Sequence, residues 1–381
     1  GYVKIAGMID ESMDKEQMAK PPQSWEFRSK PSWQRLIIML GGVTINFILA
    51  IIIYIGLAYS YGSSSISLDS IDDGFVITNP ILTEAGFETG DKIITVDGQK
   101  LDTYSDLRKS IIGSTNYQVE RNGNIIEIQL PVDFLGKLSS SDDMSSFEFR
   151  MPFIIQSVAE ESLNKDYDIR QGDRIVSVNG QATKYVDQLV PILEQNNNRT
   201  IEVEILRDSF TIKKTLNVNE DGKLGIMHGA TVQNMVDLGL MEVSNNSYSF
   251  LESIAVGTNN FVSFMGFYFD QLVAIFNPNT GAYKGLGGFI AIGNIFPSTW
   301  DWQSFWNTTA LLSVMLGVLN LLPIPALDGG HAMFLVYEMV SGRKPSDKFM
   351  ETVQVIGFII LLALVIFANG NDIYKLFNFI V

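Results

Sequence analysis

The 381-residue chain has no cysteine and only two histidines, His228 and His331. The lack of cysteine excludes disulfides and thiolate metal sites, and two histidines are a poor basis for a metal site built from this chain alone. Basic residues are also scarce, since 27 Lys+Arg stand against 42 Asp+Glu for a net charge of −15. Because nucleic-acid phosphates bind to basic surfaces, this balance argues against nucleic acid as a partner.

Long uncharged runs are the most prominent feature of the sequence. Hydrophobic residues make up 46% of the chain, and they are concentrated in a few segments, which indicates a membrane protein rather than one large soluble core. The runs 36–61, 303–327 and 352–371 are each long enough to cross a bilayer as a helix. We therefore predict an α-helical polytopic membrane protein with three spans.

The segments that flank these spans predict the topology. Six Lys/Arg lie in segment 1–35, which we interpret as a cytoplasmic strand and loop because basic residues favour the cytoplasmic side. Segment 328–351 has a similar bias and is also predicted to be cytoplasmic. Segment 248–297 has helically spaced apolar residues followed by a Gly-rich stretch. For it we predict an amphipathic helix on the membrane surface and a loop that dips into the membrane edge.

An internal repeat lies between the first two spans. The decapeptide GDKIITVDGQ at 90–99 recurs 82 residues later as GDRIVSVNGQ at 172–181, with six identical positions. The pairs Asp97-Gly98 and Asn179-Gly180 favour tight hairpin turns, because both residue types tolerate positive φ. The two copies are therefore predicted to share one fold.

Each copy predicts a small β-rich domain. Helical spacing of apolar residues follows the turn in both copies, and a hairpin comes next, at 117–130 in the first and 201–218 in the second. Asn122-Gly123 marks the tip of the first hairpin. The predicted domains are 64–137 and 148–228, with 138–147 as a Ser/Asp-rich linker.

The G-D-x-I-x-x-V-[DN]-G core of both copies resembles that of circularly permuted bacterial PDZ domains. The resemblance implies an α+β membrane protein with a tandem PDZ insertion between its spans. It also implies that each domain binds the termini of extracytoplasmic peptides by adding a strand to an open sheet edge. The alternative is that the two domains are rigid spacers or size filters.

The second predicted span ends in the unusual sequence N-L-L-P-I-P-A-L-D-G-G at 320–330. Pro323 and Pro325 cannot continue a helix and leave carbonyls unpaired. Irregular backbone is tolerated at membrane depth only where protein buries it or water reaches it. Asp328 follows directly, and an ionisable residue at this depth is a functional-site candidate. The alternative is that Asp328 merely caps a helix at the membrane surface, with Gly329-Gly330 as a turn.

Asn46 is the strongly polar side chain inside the first predicted span. One interpretation is a hydrogen bond between helices, which is common in membranes. The other is a donor that faces a buried site. The preceding Gly41-Gly42 pair allows another backbone to approach closely.

The 320–330 segment closely resembles the L-D-G motif region of the site-2 protease family. The preceding span, the tandem PDZ-like domains and the Gly-rich loop are similar to its RseP-type bacterial branch. The resemblance implies a zinc metalloprotease that cleaves the transmembrane helices of single-span substrates, anti-sigma factors or remnant signal peptides, in regulated intramembrane proteolysis. It also implies the bacterial inner (cytoplasmic) membrane, with the PDZ domains on the periplasmic side.

The same resemblance assigns roles to individual residues. Asp328 matches one of three ligands of Zn²⁺, and Asn320 matches an Asn that holds the unwound substrate. Asn46 ends a segment that matches G-P-x-x-N, although Val43 replaces the proline, and Met315 stands where many members have Asn. The residues that the resemblance assigns to substrate binding are Tyr2, Val3, Lys4, Ile5, Asn46, Asn320, Pro323 and Pro325.

The H-E-x-x-H motif of that family is absent from the sequence. The motif supplies two zinc ligands and the general base that activates the zinc-bound water, so no catalytic residue is predicted in this chain. Because the sequence opens without Met, we expect a fragment of an active enzyme. The alternative is a non-catalytic PDZ-bearing membrane adaptor or pseudoprotease. An ion path at Asp328 is disfavoured by the three spans and the lack of an inverted repeat.

Overall fold

The structure, a computed structural model, describes residues 21, 23–141 and 145–380, which fall into two compact units. The membrane unit comprises the described residues up to Ser63, the segment Asn246–Phe276 and the described residues from Tyr283 onward. The β-rich unit comprises Ser64–Asn245 and Asn277–Ala282. The predicted substrate-binding strand of Tyr2, Val3, Lys4 and Ile5 lies outside the described residues.

The described part of the chain contains eleven α-helices. They are α1 (Ser32–Tyr61), α2 (Pro80–Ala85), α3 (Tyr104–Ser110), α4 (Phe134–Ser139), α5 (Val186–Glu194), α6 (Val232–Asp237), α7 (Phe250–Phe276), α8 (Phe289–Gly293), α9 (Trp302–Leu321), α10 (Asp328–Ser341) and α11 (Asp347–Ile380).

Thirteen β-strands lie in the same described residues. They are β1 (Ser63–Ile66), β2 (Phe75–Val76), β3 (Lys92–Val96), β4 (Asn116–Arg121), β5 (Asn124–Gln129), β6 (Glu148–Phe149), β7 (Ile155–Val158), β8 (Arg174–Val178), β9 (Gln181–Ala182), β10 (Thr200–Arg207), β11 (Phe210–Asn217), β12 (Ile226–His228) and β13 (Val243–Asn246).

Three of the described helices are long and apolar enough to cross a membrane: Ser32–Tyr61, Trp302–Leu321 and Lys348–Phe377 within α11. They correspond to the three predicted spans. The second ends at Leu321 rather than at 327, because the two prolines that follow interrupt the helix. The helix predicted in 248–297 is present as α7, while its position on the membrane surface stays a prediction.

The membrane unit is assembled around α1, which packs against α7, α9 and α10. A Cβ added to Gly317 of α9 would lie 2.4 Å from the ring of Phe47, and one added to Gly257 of α7 would lie 2.5 Å from a backbone nitrogen of α1. The Ser313 hydroxyl donates to the backbone carbonyl of Asn46 at 2.9 Å. Small residues and interhelical hydrogen bonds are what hold helices together in lipid, where burial of apolar surface gives little.

The β-rich unit contains two lobes, each with its own apolar core. The first lobe (residues 64–149) has the sheet β3-β4-β5 and the pair β2-β6, and the second lobe (residues 150–228) has the sheet β11-β10-β8-β9 and the pair β7-β12. The repeated turns are confirmed, because Asp97-Gly98 and Asn179-Gly180 have positive φ at both residues. Asn122-Gly123 likewise forms the tip of the β4-β5 hairpin.

The ends of the predicted 138–147 linker belong to the first lobe. Leu138 and Phe147 are buried in its core, and β6 pairs with β2 through Phe149 and Phe75. The first lobe therefore extends to Phe149, past the predicted boundary at 137. The run is rich in Ser and Asp, and this composition predicted a linker although the two apolar residues at the ends of the run are buried.

A cluster of charged groups joins the two lobes. The Arg150 guanidinium donates to the Asp187 carboxylate at 2.5 Å and to the backbone carbonyl of Asp73 at 3.2 Å. Lys184 and the Tyr185 hydroxyl both donate to the Asp73 carboxylate. The hydrogen bond from Lys184, followed by that from Tyr185, lowers the pKa of Asp73. The lobes are thus joined by polar contacts at Asp73, two of which are made to its carboxylate and one to its backbone carbonyl.

Candidate active site

The site is built on the irregular segment between α9 and α10. The helix ends at Leu321, and the backbone turns sharply over the next residues, where Leu327 donates its N–H to the carbonyl of Ile324 at 2.9 Å. Ala326 has φ 102°, a left-handed value that a residue with a Cβ adopts only under strain. The break that the prolines predict is therefore present, and the surrounding packing has to hold it in place.

Glycines provide that packing. A Cβ on Gly329 would lie 2.2 Å from the Leu321 carbonyl oxygen, and one on Gly330 would lie 2.4 Å from that of Ile324. From the other side, a Cβ on Gly357 of α11 would lie 1.5 Å from the Pro325 carbonyl oxygen. These neighbours are backbone atoms that cannot rotate away. The segment is therefore clamped between the first turn of α10 and the middle of α11.

Asp328 is the first residue inside α10, with Leu327 in the N-cap position. The interpretation of Asp328 as a helix cap with Gly329-Gly330 as a turn is therefore wrong, because both glycines are helical. Its carboxylate lies against α1, with Oδ2 3.9 Å from where a Cβ on Gly42 would stand. Burial raises the pKa of the half-buried Asp328 carboxyl. The close approach of another backbone predicted at Gly41-Gly42 is not seen among the described residues, because the nearest atom to a Cβ on Gly42 is this side-chain oxygen, at an ordinary contact distance.

The two candidate asparagines lie on α1 and on α9. Asn46 is one helical turn from Gly42, so both lie on one face of α1, and the backbone carbonyl of Asn46 accepts the Ser313 hydroxyl. Asn320 is half-buried in the last turn of α9, next to the residue whose carbonyl touches Gly329. Pro323 is exposed, whereas Pro325 is half-buried against α11.

Two further contacts fix α10. His331 has its Nε2 3.0 Å from Nε2 of Gln354 in α11, and burial lowers the pKa of this imidazole. At the other end, the Arg35 guanidinium pairs with the Glu338 carboxylate at 2.5 Å, and both side chains are largely buried. The helix that begins with Asp328 is thus tied to α11 at its start and to α1 at its end.

Comparison with known proteins decides the family. The sequence profile of Peptidase family M50 matches residues 1–364. The chain belongs to the M50 peptidase family, the site-2 proteases. As a family member whose described residues include three helices long enough to span a bilayer, it is a membrane protein of the metalloprotease class.

Individual relatives of this M50 chain agree with that assignment. The regulator of sigma E protease of Haemophilus influenzae is 27% identical, over 99% of this chain and 85% of its own length. A Rickettsia conorii protein named as a candidate zinc metalloprotease is 26% identical, over 99% of this chain and 82% of its length. A Staphylococcus aureus protein named likewise is 26% identical, over 93% of this chain and 63% of its length. The chain thus spans less than two thirds of the staphylococcal relative.

The described side chains of the M50 chain do not include a complete set of zinc ligands. In residues 21, 23–141 and 145–380, no group of three or more His, Asp or Glu side chains is placed to hold a metal ion. Asp328 offers one carboxylate, while His331 lies against Gln354. Zinc sites in proteins take three or four protein ligands. The described residues can therefore supply one ligand to a zinc ion and not the whole set.

Several residues that shape this M50 site escaped the sequence analysis. Gly357 lies within an uncharged span where a lone glycine gives no signal, and Gln354 is its polar neighbour one turn earlier. The pair Ser313 and Gly317 does carry a signal, because small residues four apart in a membrane helix favour a close helix crossing. That spacing predicts the contact with α1 that the structure contains.

Proposed function

We propose that this M50 chain works in an intramembrane zinc metalloprotease that cleaves the transmembrane helices of single-span substrates. The observation that carries the proposal is the position of the Asp328 carboxylate, at the end of a proline-broken span and against Gly42 of α1. Anti-sigma factors are one proposed substrate type, as the family resemblance implies, and the Haemophilus relative is named regulator of sigma E protease. Remnant signal peptides are the other.

The chemistry begins with the substrate backbone. A helix in lipid has its amides paired internally, so a peptide bond must leave the helix before it can be attacked. We propose that the half-buried Asn320 and Asn46 receive backbone groups freed in this way, and that the exposed Pro323 borders the same path. Pro325 has a structural role, since its carbonyl is packed against Gly357. The edge strand proposed at Tyr2, Val3, Lys4 and Ile5 would present further backbone groups.

Zinc is the proposed cofactor, and it supplies an activated water when three protein ligands and an open position are present. Asp328 is proposed as one ligand. Its partners would be the two histidines of an H-E-x-x-H helix, which the sequence does not contain. What this chain contributes is a carboxylate held in one orientation, because Gly329 and Gly330 fix the first turn of α10 against the irregular segment.

The two β-rich lobes are proposed to be PDZ domains on the periplasmic side of the bacterial inner membrane. Their repeated hairpin turns and short helices support this, and so does the acidic, span-flanked position of the region in the sequence. In this role they bind extracytoplasmic peptide termini. Labelling checks the side: an impermeant thiol reagent should reach Ser140→Cys from outside the cell and should not reach Ser346→Cys.

The decisive experiment compares two acids, Asp328 at the start of α10 and Asp301 at the start of α9. In the protein extended by an H-E-x-x-H helix, Asp328→Asn should abolish cleavage of a single-span substrate, because a neutral amide oxygen is a weaker ligand than a carboxylate. Asp301→Asn is the control, since Asp301 caps the other end of α9 through the N–H of Ser304 at 2.7 Å, and it should retain cleavage. Cleavage by Asp328→Asn at the normal rate would remove Asp328 from the ligand set.

Metal analysis separates the protease from the adaptor alternative. The 381-residue chain should retain no stoichiometric zinc at equilibrium, because the residues that the structure describes offer one ligand. The extended protein should bind one zinc, and its Asp328→Asn variant should bind it more weakly. If the extended protein also binds no zinc, and the chain still captures periplasmic peptides, the adaptor function is the correct one.

A further inference from the structure

The segment 289–300 exposes large apolar side chains. They are Phe289, Ile290, Ile292, Ile295, Phe296 and Trp300. No charged residue lies between Lys284 and Asp301. Single exposed hydrophobic residues are ordinary, but a continuous set marks a surface that meets another apolar phase. We call this set the apolar segment.

Polar groups at the end of α11 hold the apolar segment in place. The Asp372 carboxylate, itself buried, accepts the backbone N–H groups of Ile290 at 3.0 Å and Ala291 at 3.2 Å. The side chain of Asn369 accepts the N–H of Phe289 at 3.2 Å. On the donor side, Asn371 reaches the carbonyl of Leu286 at 2.7 Å. The backbone of α8 is thereby paired within the protein, which lipid surroundings require.

The anchor residues place the apolar segment beside the C-terminal part of the last span. Asp372 lies five residues before the end of the candidate span Lys348–Phe377. At 1.5 Å per residue this is about 7–8 Å from the end of the span. Asp372 also directly follows the uncharged run 352–371, so the segment is fastened at the end of that run, where interfacial helices bury their apolar faces.

The other end of the segment leads to the same face of the bilayer. It continues into Trp302, where α9 begins, and the rings of Trp300, Trp302, Phe305 and Trp306 pack on one another there. Aromatic side chains of this kind concentrate at membrane interfaces. α10 joins the C-terminal end of α9 to the N-terminal end of α11. The N-terminal end of α9, the C-terminal end of α11 and the apolar segment beside them therefore belong to the other interface of the membrane.

We propose that the apolar segment is a lipid-binding anchor. Its side chains lie among the headgroups and upper acyl chains of the bilayer, and the side chains of Asn369, Asn371 and Asp372 fasten it to the last span. The partner is the lipid surface itself, rather than a second copy of the chain or a substrate helix. This surface is independent of the proposed proteolysis.

The absence of cysteine makes the test direct. Phe289→Cys, 74% exposed in the wild type, and Phe210→Cys, 75% exposed in the β-rich unit, form a matched pair for a nitroxide label. In phosphatidylglycerol–phosphatidylethanolamine vesicles, the label at 289 should collide several-fold more with oxygen, which concentrates in lipid, than with a water-soluble nickel complex. The label at 210 should show the reverse.

A third variant tests the fastening. Asp372→Asn in the Phe289→Cys background should increase the mobility of the label, because a neutral amide accepts the two N–H groups more weakly than a carboxylate. Nickel access at 289 equal to that at 210 would overturn the proposal. Low access to both reagents at 289 would also overturn it, since a protein surface would then cover the segment.

Discussion

The two lobes of the β-rich unit carry the same polar device in the same place. In the first lobe Asp91 accepts the N–H of the residue three positions earlier, at 2.9 Å, and two N–H groups of Arg121, at 2.7 Å. In the second lobe Asp173 accepts the equivalent N–H at 2.9 Å and two N–H groups of Arg207 at 2.8 Å. Both aspartates follow the glycine of the repeated decapeptide, so the repeat encodes the buried carboxylate of an ion pair.

The cores of the two lobes differ. Phe75 and Ile155 occupy equivalent positions, because each exchanges two backbone hydrogen bonds with the Gly-Asp pair of its own lobe. Phe75 packs in a cluster of rings, with Phe147 at 5.8 Å and Tyr104 at 5.9 Å, whereas the core around Ile155 is largely aliphatic. Hydrogen-bonded groups need fixed geometry, while a core tolerates other side chains that fill the same volume. The difference teaches that the polar framework, rather than the packing, is what the repeat preserves.

The largest expected effect on the unfolding free energy comes from truncating the side chains at the equivalent core positions. The fragment 64–228 contains both cores and is predicted to fold by itself. In this fragment Phe75→Ala should lower the unfolding free energy of the first lobe by about 3–5 kcal/mol, and Ile155→Ala that of the second lobe by about 2–4 kcal/mol. Urea unfolding followed by two-dimensional NMR resolves the lobes. An unfolded wild-type fragment, or a greater loss for Ile155→Ala, would contradict the comparison.

The next effect tests whether the two ion pairs are equivalent. Asp91→Asn and Asp173→Asn each weaken the hydrogen bonds between a buried side chain and a partly buried guanidinium, which keeps its second carboxylate, Glu88 or Asp168. Each change should lower the unfolding free energy of the lobe concerned by about 1–3 kcal/mol. Because the contacts match in number and length, the two losses should agree to within about 1 kcal/mol. Lys100→Ala, which removes an exposed pair with Asp69, serves as the control and should be close to neutral. Losses that differ by more than that margin would mean that the surroundings of the pairs are not equivalent.

The features that the sequence analysis predicted are those with a local signal. The Asp-Gly and Asn-Gly turns, the hairpin tips and the three uncharged runs each lie within a few consecutive residues, and the structure contains them. The burial of the ends of the 138–147 run was not predicted. The run is rich in Ser and Asp, and this composition gave no sign that Phe147 is buried. Only the tertiary pairing of β6 with β2 shows its place.

The candidate site shows the same division. The prolines and Asp328 were found from the sequence, because a charge after a broken span is a local anomaly. Gly357 and Gln354 were not found, since their roles depend on α11 crossing the irregular segment. The sequence alone likewise could not show that the Asp328 carboxylate faces α1, although Gly41-Gly42 indicated that α1 could be approached closely at these glycines.

The smallest expected effect concerns the turn, where the repeat exchanges an acid for an amide. Asp97 accepts the N–H groups of Thr115 and Asn116 at 3.2 and 2.9 Å, and Asn179 accepts an equivalent N–H at 3.0 Å. Burial alone would raise the pKa of Asp97, but the hydrogen bonds from Asn116 and from its neighbours outweigh it, so the pKa is lowered. Only the first lobe therefore has a titrating group in this turn.

The sign of the pH effect follows from that lowered pKa. A carboxyl whose pKa is lower in the folded state stabilises the fold above its unfolded pKa, about 4, and loses this contribution as the pH falls through the folded value. Asp97→Asn should thus change the stability of the first lobe little at pH 7 and reduce its loss on going to pH 3, by less than about 1 kcal/mol because the group is exposed and screened. Asn179→Asp should give the second lobe the same additional acid sensitivity. The measurement is urea unfolding of the fragment 64–228 at both pH values, and an unchanged pH dependence in both variants would show that the turn carboxylate contributes nothing.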